Sequence, residues 1–442
     1  MTLGLVASLC STVAGAGPAF PLRVAASGRY LEDQRGEPFF VNGDTAWSLT
    51  HNLTYEQAVR YLRNRRAKGI NAVVVSVPDA YGPDGRASDG PDRQGNRPFL
   101  DDDISRPNEP YWQHVDRVLA ESEALGFLVL LWPSYLGCCD DGYVGLLLRN
   151  GAAKASAYGR FIGARYAARK NLVWIHGGDR DPGAASEVVA AVKAGISQAD
   201  PSSLQATHWS PETDPYAPFG EQFTSLYGTY TYGPVGALVS RHYQKLPVKP
   251  VLLLETHYEN DWASKPVAEL RKYPYRAALA GAAGHFFGNK PLWFCGDGWE
   301  VALESEGSRA MKHVGQLFRS RPWQRLVPDA SDPLVTAGRG DPATDDGVQA
   351  ARADDGSFAM AFVPDRRTIR VKLGQIAGAK VRAWWFDISS GSAVVAGNFL
   401  PSANPEFTPP GNGGFVLVLD DASRGYPRPG EAPVAESAVG GR

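Results

Sequence analysis

The sequence predicts an α/β protein: a (β/α)8 barrel of the TIM type followed by a small C-terminal antiparallel β-sandwich. Between Phe39 and Arg319, short apolar runs alternate with stretches of helical periodicity over roughly 280 residues, close to the typical span of an eight-stranded parallel barrel. Polar and aromatic residues gather where the apolar runs stop, the edge on which such barrels carry their sites. Beyond Pro328 the pattern changes to short alternating runs divided by Asp-Asp-Gly, Pro-Asp and Ser-Ser-Gly turns. The expected organisation is a leader over 1–20, a barrel over 21–327, a sandwich over 328–421, and a tail over 422–442 with too little apolar content to fold.

In order, the first strand is expected from Phe39 to Asp44, with Asp44 and Trp47 at its mouth. A helix from Thr54 to Lys68 follows and opens on a capping box of Thr54 and Gln57. Ala72 to Val77 reads as the second strand. The segment from Pro78 to Pro110, dense in Gly, Asp, Pro and Arg, is too long for an ordinary connection, so it is expected to wall a site. A helix from Tyr111 to Leu125, a strand from Phe127 to Trp132 and a helix from Ala152 to Arg169 follow. The fourth strand, from Leu172 to Ile175, is wholly apolar, as suits a strand buried on both faces. Gly177 and Gly178 then allow a turn that delivers Asp179 to the mouth. A helix from Ala184 to Ser197, strands from Leu204 to Ser210 and Ser225 to Tyr232, and a helix from Pro234 to Gln244 lead to the seventh strand, Pro250 to Glu255. It repeats the design of the fourth, an apolar run ending in one acid. A helix from Trp262 to Ala282, a strand from Gly284 to Gly288 and a helix from Arg309 to Arg319 complete the barrel. The β-domain strands are expected at 347–352, 357–364, 368–373, 380–386 and 415–419.

A chain of 442 residues with 43% hydrophobic content can bury a large core. Its 45 basic and 47 acidic residues leave a net charge of -2, with no run of one sign to attract nucleic acid or anionic membranes. The partner expected from this is a neutral carbohydrate, since 11 Trp and 18 Tyr offer faces on which sugar rings stack. No later segment is apolar for long enough to span a bilayer. The apolar run from Leu3 to Cys10 and the small residues Ala14 to Gly17 resemble a signal peptide, although no basic residue precedes Arg23. Secretion or periplasmic export follows if that stretch is a leader, and a cytoplasmic place if it is not. Of the four cysteines, Cys138 and Cys139 are adjacent and could bond to each other, or one of them to Cys295, or stay free.

Two acids at two strand ends meet the needs of acetal cleavage, in which one group protonates the leaving oxygen and a carboxylate attacks or activates water. Asp179 is assigned as acid/base and Glu255 as nucleophile, or as base if the enzyme inverts. Asp44, Trp47, His208, Trp209, His257, Tyr258, Glu259, His285 and Trp293 are proposed as substrate contacts. A structural role for a strand-end acid, capping a helix or pairing with an arginine such as Arg180, is the competing reading. His176, His208, His257 and His285 raise a metal-dependent hydrolase as a rival, yet no His-X-His or His-Glu-X-X-His pair occurs, and neither metal nor cofactor is expected. A cysteine nucleophile at Cys138 or Cys139 lacks a linked histidine and has Asp140 and Asp141 beside it. No Gly-X-Ser-X-Gly elbow supports a serine esterase.

Phe-Phe-Val-Asn-Gly-Asp-Thr-Ala-Trp at 39–47, Arg-Pro-Asn-Glu-Pro-Tyr-Trp at 106–112, Trp-Ile-His-Gly-Gly-Asp-Arg at 174–180, Glu255 with Tyr258 and Glu259, and Gly-Ala-Ala-Gly-His-Phe-Phe-Gly at 281–288 together resemble the apiosidase-like glycoside hydrolase family. The β-rich end, with Ala383-Trp384-Trp385-Phe386-Asp387, resembles the collagen-binding-type domain that often follows it. The resemblance implies a barrel with a trailing sandwich, catalytic carboxylates at Asp179 and Glu255, and a substrate such as apiose-bearing pectin or another branched glycan. Cys138-Cys139 and Phe294-Cys295-Gly296-Asp297 depart from the pattern. The reading is a glycoside hydrolase; a carbohydrate-binding or matrix-adhesion protein without turnover is the alternative from another class.

Overall fold

The computed structural model describes residues 17–87, 90–138, 141–263, 265–329, 333–341 and 343–432. Residues 1–16 of the expected leader, Cys139 and residues 433–442 of the tail lie outside the described residues. Eight parallel strands form one sheet: β1 Val41–Thr45, β2 Ala72–Ser76, β3 Leu128–Trp132, β4 Leu172–Gly177, β5 Leu204–His208, β6 Tyr227–Tyr230, β7 Val251–Glu255 and β8 Ala282–Phe287. Their lateral order is β5-β4-β3-β2-β1-β8-β7-β6. Between β5 and β6 the barrel closes through single contacts, with Ser225 N and Thr224 Oγ1 donating to Gln205 O at 2.6 and 3.1 Å.

The strands are buried on both faces, which accounts for runs such as Val-Leu-Leu-Leu with no polar alternation. In β7, Leu252 and Leu254 join the main core, whereas Val251 and Leu253 pack with Val235, Val239 and Tyr273 of the surrounding helices. Helix α1, Tyr55–Ala67, starts on the anticipated capping box, with Gln57 N donating to Thr54 Oγ1 and Thr54 N to Gln57 Oε1. The long segment after β2 stays irregular up to the helix Glu109–Ala124 and lines two cavities.

Several elements differ from the sequence expectation. Pro38–Phe39 belongs to a separate three-stranded antiparallel sheet with Arg23–Val24 and Leu31–Glu32, so the first barrel strand starts later and runs through Asp44 to Thr45. The helix expected from Ala152 begins at Val144 and is broken at Gly151, whose φ of 75° leaves the helical region. In place of a helix from Trp262 to Ala282 there are two short ones, Val267–Leu270 and Tyr273–Leu279, and Trp262 stands on a loop.

The C-terminal region is a six-stranded antiparallel sheet facing a three-stranded one. Its central strands Phe358–Val363 and Phe415–Asp421 are buried on both faces, and apolar on both faces as far as Leu419 in the second. Ala359, Ala361, Leu417 and Leu419 face the small sheet, whereas Phe358, Met360, Phe362, Val416 and Val418 join the barrel's core. Arg321 pairs with Asp420 at 2.7 Å across this junction, both side chains buried. The described part of the tail, residues 422–432, packs on this junction, with Tyr426 against Phe358 and beneath the Arg321 guanidinium.

Candidate active site

The mouth of the barrel at the carboxyl ends of the strands holds a cavity of about 300 Å³. Asp179, Glu255, Trp47, Tyr258, Trp262 and Trp293 are among its walls. Asp179 reaches it through three successive residues of positive φ: Gly177 (109°), Gly178 (107°) and Asp179 itself (55°). Neither glycine admits a side chain. A Cβ on Gly177 would lie 2.3 Å from His208 O, and one on Gly178 2.3 Å from the Tyr135 ring.

Glu255 arrives by a different device. Simple alternation would turn it outward with Val251 and Leu253. The register of β7 against β6 slips between Leu253, opposite Thr229, and Glu255, opposite Tyr230, so one extra residue is inserted. Such a bulge places consecutive side chains on one face and re-aims Glu255 into the mouth beside Leu254.

His208 stands between the two acids. Its Nδ1 accepts a hydrogen bond from Asp179 N at 3.4 Å, which puts the ring proton on Nε2, 3.1 Å from Glu255 Oε2. Burial holds the imidazole below its ordinary pKa, so it is neutral, and it stacks on Tyr230 with ring centroids 4.8 Å apart. Tyr135 donates to Asp179 Oδ2 at 2.9 Å.

The acids are nearly sealed from water, with side-chain exposures of 12% for Asp179 and 6% for Glu255. Burial, and then the charge of Glu255, raise the Asp179 pKa well above the usual carboxylate range. Burial raises Glu255 to about 8, and hydrogen bonds from Asp179 and Tyr258 temper the rise. The pair is therefore asymmetric: both acids hold their protons above the usual carboxylate range, and Asp179, raised by burial and by the charge of Glu255 as well, keeps its proton when Glu255 has lost one, the order an acid and a nucleophile need.

One potential ligand atom from each of Asp179, His208 and Glu255 lies within 4.8 Å of the others. The donor chemistry does not suit a cation, because the one imidazole lone pair is engaged by the Asp179 amide and the other nitrogen carries hydrogen.

Of the other expected contacts, Trp47, Tyr258 and Trp293 line the cavity. Trp47 and Trp293 lie 5.4 Å apart, and Trp293 Nε1 donates to Asp261 at 2.9 Å. Five residues need correction. Asp44 points away from the barrel axis and pairs with Arg65 at 3.1 Å and Tyr61 at 2.8 Å, fully buried beneath α1. His285, one strand over, bonds Asn42 Oδ1 at 2.8 Å on the same outer face. Trp209 packs on Phe219 and Phe223, behind the site. The His257 ring contacts the carbonyls of Ala263 at 2.6 Å and Tyr232 at 3.2 Å, fixing the loop between them. Glu259 accepts from Ser305 Oγ at 2.6 Å, Gly307 N at 3.2 Å and the Asn289 amide, tying that loop to the helix Glu306–Arg319.

Sequence reasoning missed Tyr81, Tyr135, Tyr232 and Trp262. The ring of Trp262 is 84% exposed at the rim, against Tyr232. Cys138 is disulfide-bonded and also lines the cavity, whereas Cys295 is a buried free thiol, so the Cys138–Cys295 pairing is excluded.

An eight-stranded parallel barrel with one acid after β4 and a second at the end of β7, both opening into an aromatic-walled cleft, is the architecture of a glycoside hydrolase. The chain belongs to the apiosidase-like family, whose catalytic-domain model matches residues 25–325. The model named for the collagen-binding domain of a collagenase matches residues 327–420. Among solved structures, a glycoside hydrolase family 5 protein from Bacteroides vulgatus aligns with a TM-score of 0.80 at 24% identity, covering 94% of this chain and 96% of its own. A second, described as a glycoside hydrolase, aligns with a TM-score of 0.77 at 22% identity over 92% of this chain and 99% of its own. These likenesses show the shared fold. No curated protein sequence gives a significant match.

Proposed function

We propose that the protein is a retaining glycoside hydrolase that removes a sugar from a branched, plant-type glycan, with Asp179 as acid/base and Glu255 as nucleophile. The observation that carries this is the closeness of the two carboxyl groups, which have oxygens within 4.8 Å of each other. Inverting enzymes hold their acids about 6.5 to 9.5 Å apart to seat a water between them, and retaining ones about 5 to 5.5 Å.

In the first step Glu255 attacks the anomeric carbon while Asp179 gives its proton to the leaving oxygen. The glycosidic C–O bond breaks and a glycosyl ester forms. In the second step Asp179, now ionised, takes a proton from water, whose oxygen attacks the same carbon and releases Glu255. His208 directs its N–H toward Glu255 and steadies the charge that returns to it. Trp47, Trp262 and Trp293 supply stacking faces. The resemblance behind the sequence reading makes apiosides and related branched sugars the first substrates to try. A polymeric substrate has to be met outside the cytoplasm, so export through the apolar leader is part of the proposal.

The test is hydrolysis of a panel of aryl glycosides, apiosides and arabinofuranosides included, and of plant polysaccharides, by wild type, Asp179→Asn and Glu255→Gln. The anomer formed first is followed by NMR. Turnover falling by three or more orders of magnitude in both variants, with retained configuration, is the expected result. Surviving turnover in both would remove the site assignment, and a first product of inverted configuration would remove the double-displacement mechanism.

A further inference from the structure

Two phenol hydroxyls stand in line behind Asp179. Tyr135 follows β3, where Leu136 N donates to Gly177 O at 2.9 Å and Gly178 lies against the Tyr135 ring, so the turn that delivers Asp179 also fixes this phenol. Tyr81 follows β2. Asn52 Nδ2 donates to its carbonyl at 3.1 Å, and Trp293 meets its ring edge-on with centroids 4.8 Å apart. Both tyrosines are buried. Tyr135 donates to Asp179 Oδ2 at 2.9 Å, the Tyr135 and Tyr81 hydroxyls lie 3.1 Å apart, and Tyr81 donates to Asp141 Oδ2 at 2.6 Å.

These are three contacts, and the two phenols bring two protons to them. Burial pushes both phenols well above the ordinary tyrosine range, so each keeps its proton. The shortest contact decides the first proton: Tyr81 gives it to the Asp141 carboxylate. A carboxylate oxygen accepts more than one hydrogen bond, so this holds whatever else Asp141 engages. The Tyr81 oxygen then acts as an acceptor, and the single Tyr135 proton has two destinations, Tyr81 and Asp179. Ionised Asp179 is the stronger acceptor and takes it, because hydrogen bonds to charged groups are roughly twice as strong as neutral ones. The phenol oxygens then face each other at 3.1 Å with no proton between them. Protonated Asp179 accepts weakly, and the Tyr135 proton turns to Tyr81. The Tyr135–Tyr81 bond therefore forms only while Asp179 holds its own proton.

We propose that Tyr81 is a positioning residue that acts through Tyr135, competing with Asp179 for the Tyr135 proton and so helping the acid to keep its own until the leaving oxygen takes it. In the second step the Tyr135 hydroxyl turns back to the ionised Asp179 and steadies it while it draws a proton from water. The part in the reaction rests on the hydrolase reading; the competition for one proton does not. Glu255 at the end of β7, His208 at the end of β5, Tyr230 and Tyr232 at the end of β6, and Tyr258 beyond β7 also face Asp179. They set the level from which Tyr81 shifts it, and they are the same in every variant below.

The test is the titration of Asp179 in the full chain, read by ¹³C NMR of the aspartate side-chain carboxyl carbons. The Asp179 signal is assigned by its loss in Asp179→Asn. The second readout is the alkaline limb of the pH–rate profile on an aryl glycoside that wild type cleaves. Tyr81→Phe keeps the ring and removes the hydroxyl. It is expected to move both the titration and the limb down by about half a pH unit to one unit, the size of one neutral hydrogen bond on that scale, with KM within about twofold of wild type. Tyr135→Phe is expected to move both up, and Tyr81→Phe added to Tyr135→Phe to change neither, because the contested proton is gone. A titration unchanged or raised in Tyr81→Phe, with or without a lower melting temperature, would overturn the proposal. So would an equal downward shift with and without the Tyr135 hydroxyl. The expected NMR shifts with no glycoside cleaved remove the hydrolase reading and leave the competition standing; cleavage with an unshifted Asp179 removes the competition alone.

Discussion

Replacing Glu255 with Gln should do two opposite things, abolish turnover and stabilise the fold, and the second depends on pH in a calculable direction. Burial lifts the Glu255 pKa from 4.5 to about 8. Below pH 4.5 the carboxyl is neutral in both folded and unfolded chains, and the amide differs little from it. Between 4.5 and 8 the unfolded chain releases the proton and the folded one keeps it, so wild type loses stability steadily as pH rises; above 8 the penalty is constant. At 1.36 kcal/mol for each pKa unit the limit is on the order of 5 kcal/mol. Coupling to Asp179 and the poorer fit of an amide beside His208 Nε2–H leave under half of that, about 2 kcal/mol. With an unfolding entropy of about 2.1 cal/mol/K per residue, that is about 2 °C in Tm if the whole chain unfolds together. Scanning calorimetry of both proteins from pH 4.5 to 9 measures it. The expected result is coincident Tm values at the acid end and a variant that gains over wild type as pH rises. A difference independent of pH, or one that grows in favour of wild type, would refute the buried, proton-holding pair.

Trp262→Ala should raise KM about tenfold with kcat and Tm nearly unchanged, since the ring is at the rim and packs mainly on Tyr232; steady-state kinetics on a polymeric substrate check this. Asp44→Asn should cost about 3–5 kcal/mol in denaturant unfolding by leaving Arg65 buried without its counter-charge, and a change confined to KM would instead return Asp44 to the cleft. Gly178→Ala puts a Cβ 2.3 Å from the Tyr135 ring at a φ of 107°, and about 3 kcal/mol of lost stability together with loss of turnover should appear in melts and activity assays. Tyr135→Phe removes the donor to Asp179, so the alkaline limb of the pH–rate profile should move up while kcat falls about tenfold and KM holds.

Which acids serve the cleft was partly legible in the sequence. An apolar run followed by two glycines and an acid marks Asp179, because glycine is the residue type for positive φ and the structure uses both positions that way. Asp44 has the same look, an acid at the end of an apolar run, yet it belongs under α1. What decides is where the strand stops: Asp44 is still within β1, and alternation sends it outward beside Asn42. His285 in β8 goes outward for the same reason. Glu255 shows the converse. Alternation alone would have sent it outward, and only the bulge after Leu253 turns it in, a feature of pairing between two chain segments that no local run of residues records. Trp262 was read into a helix because its neighbours have helical periodicity, but the contacts of His257 with Ala263 O and Tyr232 O hold that stretch as a loop.

The devices that make the site share a property: each departs from the regular pattern that stabilises the rest of the barrel. Three successive positive φ values carry Asp179, an inserted residue turns Glu255, and two carboxyl groups sit where water hardly reaches. Around them Trp47 Nε1 and Trp132 Nε1 are buried without a hydrogen-bond partner in the protein. Polar atoms so placed cost stability unless something hydrogen-bonds to them, and a sugar presents hydroxyls on every side of its ring. Strain of this kind persists only where surrounding structure over-determines it. That restraint is visible in the fully buried strands and in the Arg321–Asp420 pair that ties the barrel to the C-terminal sheet. The C-terminal domain belongs to that restraint as well, because Phe358, Met360 and Phe362 lie in the barrel's own core, so the packing that holds the barrel strands in place is shared between the two regions.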